Sequence, residues 1–164
     1  MNRRAWWLVL GLAAAASLAG CTFFGSQGPE FTHWEPELSP DGATLVYESV
    51  SGKTLELYTR DLATGVERRL TENDVEDWSP SWSPEGDRIA FASRRDDNVD
   101  VYLLDIETLE AERITLHEGD DINPSWGIDG RIYFNSNRSG LWEIYAIDPD
   151  GSNLTKITGT ESSD

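Results

Sequence analysis

The chain repeats itself. The frame "PELSPDG", from Pro36 to Gly42, returns as "PSWSPEG" from Pro80 to Gly86 and as "PSWGIDG" from Pro124 to Gly130, 44 residues apart each time. Downstream, Tyr58, Tyr102 and Tyr145 correspond, as do Asp61, Asp105 and Asp148. Each copy closes on a threonine in "RRLT", "ERIT" or "TKIT", at Thr71, Thr115 and Thr158, and the third copy is one residue shorter just after Gly130. A period of this length means stacked units, each packed chiefly on its neighbours, in place of one irregular core.

The middle copy reads as four short strands. Pro80 to Ser83, Arg88 to Ser93, Val99 to Asp105 and Ala111 to Thr115 are separated by Pro84-Glu85-Gly86, Asp96-Asp97-Asn98 and Glu107-Thr108-Leu109. Proline presets φ for the first turn and glycine allows a positive φ there. The spacing fits an antiparallel meander and leaves no room for helices. Strands two and three are apolar in succession at Ile89, Ala90, Phe91 and Ala92, and again from Val101 to Leu104. Successive strand residues point to opposite faces, so both faces of each small sheet need a cover. Face-to-face stacking of the copies around an axis supplies it, which is the β-propeller solution. The expected fold is all-β: three four-stranded antiparallel blades over about residues 31–71, 72–115 and 116–158, with a polar tail at 159–164.

The copies resemble the TolB-like propeller repeat, also called PD40 and similar to WD40, of bacterial envelope proteins. The carriers are "PSWSPEGDRIAFASRRDDNVDVYLLD" in copy two and "PSWGIDGRIYFNSNRSGLWEIYAIDPDGSNLTKIT" in copy three. Copy one departs by having Leu38 where the others have Trp82 and Trp126. The resemblance implies an envelope protein-interaction role, six blades in the complete ring, and enzymatic chemistry, where relatives have any, in a separate catalytic domain. This chain has no space for such a domain, so no catalytic residue and no enzyme activity is expected. Three blades fall short of the four to eight of a closed propeller. The chain begins with a leader and stops six residues past the third copy, so three blades are expected to be its full complement. Three arrangements stay open: a homodimer closing a six-bladed ring, docking on another propeller fragment, and an open arc.

Residues 1–20 stand apart from the fold. Asn2-Arg3-Arg4 followed by the apolar run Ala5 to Ala19 has the layout of a secretory signal. The run ends in Leu18-Ala19-Gly20-Cys21, which resembles a bacterial lipobox, and Cys21 is the only cysteine. The resemblance implies a diacylated Cys21 as the new first residue, a tether over 21–30, and export to a membrane-anchored position facing the periplasm or the cell exterior. In a Gram-negative host Thr22 would favour the outer membrane. Losing residues 1–20 takes away two of 13 basic residues and none of 30 acidic ones, leaving a net charge of −19. Such a surface repels phosphate backbones and anionic headgroups. Nucleic acid is excluded as a partner, and membrane attachment falls to the acyl chains.

Two histidines, His33 and His117, lie in segments entering a first strand and read as solvated. The loop into the first strand is acidic twice, with Asp74, Glu76 and Asp77 before Pro80 and Glu118, Asp120 and Asp121 before Pro124. In a propeller this loop leads to the innermost strand, so Glu76, Asp77, Asp120, Asp121 and Asn123 form a candidate binding set at one mouth of the channel. Solvated loops are the plain reading of these carboxylates; a basic partner peptide, or a hard cation such as Ca2+ with Asn123 as a neutral ligand, is the functional one. No cofactor is expected. Trp82 and Trp126 recur two residues after the proline and read as packing residues, whereas Trp34 and Trp78 are the candidate exposed aromatics. A glycan platform is the alternative to protein binding, and an enzyme of unrecognised type is the weakest reading.

Overall fold

The computed structural model describes residues 33–95 and 97–159. The signal segment, Cys21, the tether, Asp96 and the last five residues lie outside the described residues. Twelve strands form three four-stranded antiparallel sheets, each a meander in chain order. The first holds β1 (His33–Leu38), β2 (Thr44–Ser51), β3 (Thr54–Asp61) and β4 (Glu67–Arg69). The second holds β5 (Asp77–Trp82), β6 (Arg88–Arg95), β7 (Asn98–Asp105) and β8 (Ala111–Arg113). The third holds β9 (Asp121–Trp126), β10 (Ile132–Ser136), β11 (Glu143–Ile147) and β12 (Thr155–Lys156). Among the described residues there is no helix, and so none long and apolar enough to cross a membrane.

The turn chemistry explains the meander. Gly42, Gly86 and Gly130 take φ of 70°, 74° and 83°, the left-handed region that glycine enters without a Cβ penalty. The Ser83 hydroxyl accepts the Arg88 N–H at 3.0 Å, as Ser39 does for Thr44 at 2.9 Å. At the next hairpin, the Asp105 carboxylate accepts the N–H groups of Glu107 and Thr108 at 3.0 and 2.8 Å, and Asp61 does the same for Ala63 and Thr64.

The first strand of each sheet starts earlier than the sequence suggests. β5 begins at Asp77, three residues before Pro80, because a bulge between Trp78 and Ser81 shifts the register. Ser79 sits there at φ 51°, and Glu35 and Asn123 take the same place in the other sheets at φ 45° and 52°. The extra residue lifts the following proline out of the ladder, where its missing N–H does no harm.

The core lies between sheets. Val46, Leu57 and Leu70 of the first sheet pack with Trp82, Ile89, Phe91, Tyr102 and Leu104 of the second. One repeat later, Ala90, Val101, Leu103 and Ile114 pack with Trp126, Ile132, Phe134, Tyr145 and Ile147. Both tryptophans that recur after the proline are buried in these junctions, as their register predicts. The middle sheet, covered on both faces, is buried from Ile89 through Ser93. Hydrogen bonds join the first strands to one another: the Trp82 N–H donates to Glu37 Oε2 at 2.8 Å and the Trp126 N–H to Ser81 Oγ at 3.0 Å. β1, β5 and β9 therefore form the inner edge, and the largely exposed β4, β8 and β12 the outer one.

Candidate functional site

The acidic loop residues separate into two groups. Asp77 and Asp121, the first residues of β5 and β9, are fully buried. The Arg138 guanidinium donates to Asp121 Oδ2 at 2.8 Å and lies over the rings of Tyr145 and Phe134 at 4.9 and 5.4 Å. Arg95 repeats this at 3.8 Å from Asp77 Oδ1, over the Tyr102 ring at 4.4 Å, and Asn73 Nδ2 donates to Asp77 Oδ2 at 2.7 Å. Burial pushes the Asp77 carboxyl up, against the pull of Ser93, Asn73 and Arg95. These two buried carboxylates tie the start of strand one to the end of strand two, at Arg95, or to the turn just past it, at Arg138, in the same blade.

The rest stay near the surface. Glu76 and Asp120 are half-buried, while Asp74, Glu118 and Asn123 are exposed. Asp120 Oδ1 accepts the Val99 N–H at 3.3 Å, and Asn123 Oδ1 accepts the Ser79 hydroxyl at 3.2 Å. Trp34 and Trp78, and Ile122 in the same register, are half-buried along the inner edge. His117 is exposed and its Nδ1 accepts the Gly119 N–H at 2.8 Å, while His33 opens β1. Among the described residues no group of three or more His, Cys, Asp or Glu is arranged to hold a metal ion.

Two features escape a reading by composition. The first recurs in every blade: a strand-three acid, a strand-four base and the closing threonine. Glu56, Arg69 and Thr71 form it in the first sheet, with Arg69 at 3.1 Å and the Thr71 hydroxyl at 2.7 Å from the carboxylate. Asp100, Arg113 and Thr115 repeat it at 2.6 and 3.2 Å, and Glu143, Lys156 and Thr158 at 3.1 and 2.6 Å. The threonine oxygen also accepts a strand-three N–H, that of Leu57, Val101 or Ile144. The repeat register alone points to this set, since its members fall at equal offsets in all three copies.

The second is Glu48, buried on β2 where the other copies have Ala92 and Asn135. It accepts the Ser79 N–H at 3.0 Å across the first junction. Burial, with Glu35 and Glu76 nearby, outweighs that hydrogen bond and pushes its carboxyl up to about 7. A carboxyl raised above its ordinary 4.5 gives stability that is complete below that value and lost as pH rises through 7. Glu48→Gln keeps the acceptor and removes the charge, so it is expected to match the parent at pH 4 and exceed it at pH 8 by roughly 1–2 kcal/mol after solvent screening. Thermal melts at the two pH values measure this; an equal offset at both would show that the charge is not the cause.

The comparisons agree with this architecture. The family model described as the TolB beta propeller domain, PD40, matches residues 28–164. The structure of a putative TolB from Agrobacterium tumefaciens superposes with a TM-score of 0.72 at 31% identity, over 77% of this chain and 46% of that one. TolB from Acinetobacter baumannii gives 0.71 at 27%, over 79% of this chain and 33% of that one. The chain thus spans less than half the length of either. An oligogalacturonate lyase from Vibrio parahaemolyticus, at 18% identity and a TM-score of 0.62 over 77% of this chain and 41% of that one, shares the fold alone. A comparison with curated proteins gives no match. With the family model running through all three blades, and the repeat, the turn glycines and the buried tryptophans in register, the chain belongs to the TolB β-propeller family.

Proposed function

We propose that the chain is a cell-envelope lipoprotein, anchored through Cys21, that presents its propeller surface to a protein partner without catalysing a reaction. The observation that carries this is the inner edge. Trp34, Trp78 and Ile122 lie half-buried in one register on rigid strands, flanked by Glu35, Asp74, Glu76, Glu118 and Asp120. Among the described residues none of those five carboxylates is in an ion pair, whereas the buried Asp77 and Asp121 have arginines. An apolar strip rimmed by carboxylates without cationic partners suits an extended segment with basic and apolar side chains, and electrostatic attraction would speed its encounter.

The test uses the full-length lipoprotein in membranes. The parent, a Trp78→Ala/Glu76→Gln variant and a Cys21→Ser variant are compared for captured envelope proteins and for incorporation of labelled palmitate. A defined partner held by the parent, released at high salt and lost in the Trp78/Glu76 variant supports the reading, together with label that disappears in Cys21→Ser. Identical capture by parent and variant would overturn the inner-edge assignment, and label unchanged in Cys21→Ser would overturn the anchor.

A further inference from the structure

The two internal junctions follow one residue code, and the code continues past both ends of the stack. At the first junction β2 and β3 supply Val46 and Leu57 and the segment after β4 supplies Leu70; at the second the same places hold Ala90, Val101 and Ile114. One repeat further on they hold Tyr133, Ile144 and Ile157 on the open face of the third sheet. Ile144 and Ile157 are 38% and 49% exposed, where all their counterparts are buried. On the opposite open face, Leu38 takes the place of Trp82 and Trp126 and is 52% exposed, again where its counterparts are buried.

We propose that these two faces join in a second copy of this chain, the third sheet of each molecule packing on the first sheet of the other, so that two identical junctions close a six-bladed ring. Three observations select a second copy. The first is size. Where a sheet offers the small Val46 or Ala90, its neighbour offers a tryptophan; where the third sheet offers the bulky Tyr133, the first sheet offers Leu38. Bulk on one side is matched by its reduction on the other, as a close-packed junction requires.

The second is hydrogen bonding. Glu37 accepts the Trp82 N–H and Ser81 accepts the Trp126 N–H, each reaching one blade onward. Ser125 is the next member of that series; it is exposed, and its hydroxyl makes no hydrogen bond to another described residue. The N–H of Leu38 in a second copy is the donor that the series calls for. The third is charge. Arg60 stands where the internal junctions have Leu104 and Ile147, but it is paired with Glu67 at 2.9 Å and brings no lone charge to the face. Two copies give six blades, within the range of closed propellers, and a head-to-tail contact forms a ring when its rotation closes. The net charge of −17 opposes association, and salt screens such repulsion beyond about 10 Å at 0.1 M. Added salt should therefore strengthen the dimer.

Leu38→Cys and Ser125→Cys place thiols on the two faces at exposed positions. Cells producing the full-length double variant are treated with a short bis-maleimide, with the parent and each single variant as controls for Cys21. A covalent dimer in the double variant, and in a mixture of the two single variants, is the expected result. Ile144→Asp, exposed in the single chain and so compatible with its folding, should reduce the cross-link at least about tenfold. Detergent-solubilised parent should show twice the chain mass by sedimentation, with the dimer fraction rising between low and moderate salt. Absence of a dimer above the controls would overturn the proposal, as would a ladder of higher multiples, a full cross-link in Ile144→Asp, or a monomer at tens of micromolar. These readouts are independent of any envelope partner, so the proposal stands or falls apart from the partner-binding reading.

Discussion

Arg113→Met is expected to lower the stability of the protein by roughly 2–4 kcal/mol at neutral pH, somewhat less than the loss of one member of a fully buried ion pair. Asp100 is almost wholly enclosed and receives Arg113 at 2.6 Å, while Arg113 keeps 27% of its side chain in water. Its guanidinium also donates to the Thr115 carbonyl at 2.8 Å, and the Thr115 hydroxyl joins Asp100 to the Val101 N–H. Removing the base leaves a carboxylate in a site that already pushes it up through burial, even with the arginine present. Raised further, it holds a proton in the folded variant that it would release when unfolded. The deficit of the variant is therefore smallest near pH 4, in the ordinary Asp range, and grows as pH rises. Asp100→Asn combined with Arg113→Met should recover much of the loss, because the uncompensated charge is gone. Denaturant titrations at pH 4 and 7 measure both effects; an equal loss at the two values would show that packing of the arginine stem, and not the stranded charge, sets the cost.

Lys156→Met, the equivalent change at the third blade, should cost less in the single chain. Lys156 and Glu143 keep the spacing of the set at 3.1 Å, but 40% and 18% of their side chains are exposed, against 27% and 1% for Arg113 and Asp100, and a pair contributes less the more water reaches it. One motif thus has different weights in different blades, set by whether another blade covers it.

That contrast also explains how much could be read from the sequence. Gly86, the Asp105 turn and Trp82 announce themselves because each depends on local chemistry repeated at a fixed interval. The strands follow from the same signal, except that β5 runs back through Pro80 to Asp77. The cause there is the positive φ of Ser79, which no residue type requires. Asp77 and Asp121 read as accessible acids at a channel mouth because their partners, Arg95 at the end of the second strand and Arg138 just past it, are distant in sequence. Only the fold brings that end of the hairpin back to the start of the first strand. Glu48 has no counterpart in the other copies, so the repeat gives no hint of it. Its burial depends on the neighbouring blade placing the Ser79 N–H against it.

Phe91→Ala is expected to cost about 3–5 kcal/mol, the range for deleting a fully enclosed aromatic side chain. Phe91 has no exposed surface and lies 5.7 Å from the Tyr102 ring, in the cluster that joins the first two sheets. The rigid meander on either side limits collapse around the void, so both the lost burial and the cavity count. Phe134→Ala removes the equivalent ring at the second junction, 6.1 Å from Tyr145, and should cost a similar amount. Total stabilities of domains run to only about 5–15 kcal/mol, so either change takes a large share. Where the damage appears should differ, because blades contact chiefly their neighbours. Phe91→Ala loosens the first blade from the second and should expose the Glu72–Glu76 loop to early proteolysis. Phe134→Ala should instead expose the Leu116–Asp120 loop and leave the first two blades resistant. If both variants are cut at the same places in the same order, the three blades unfold as one unit, and the junctions do not act as separate seams.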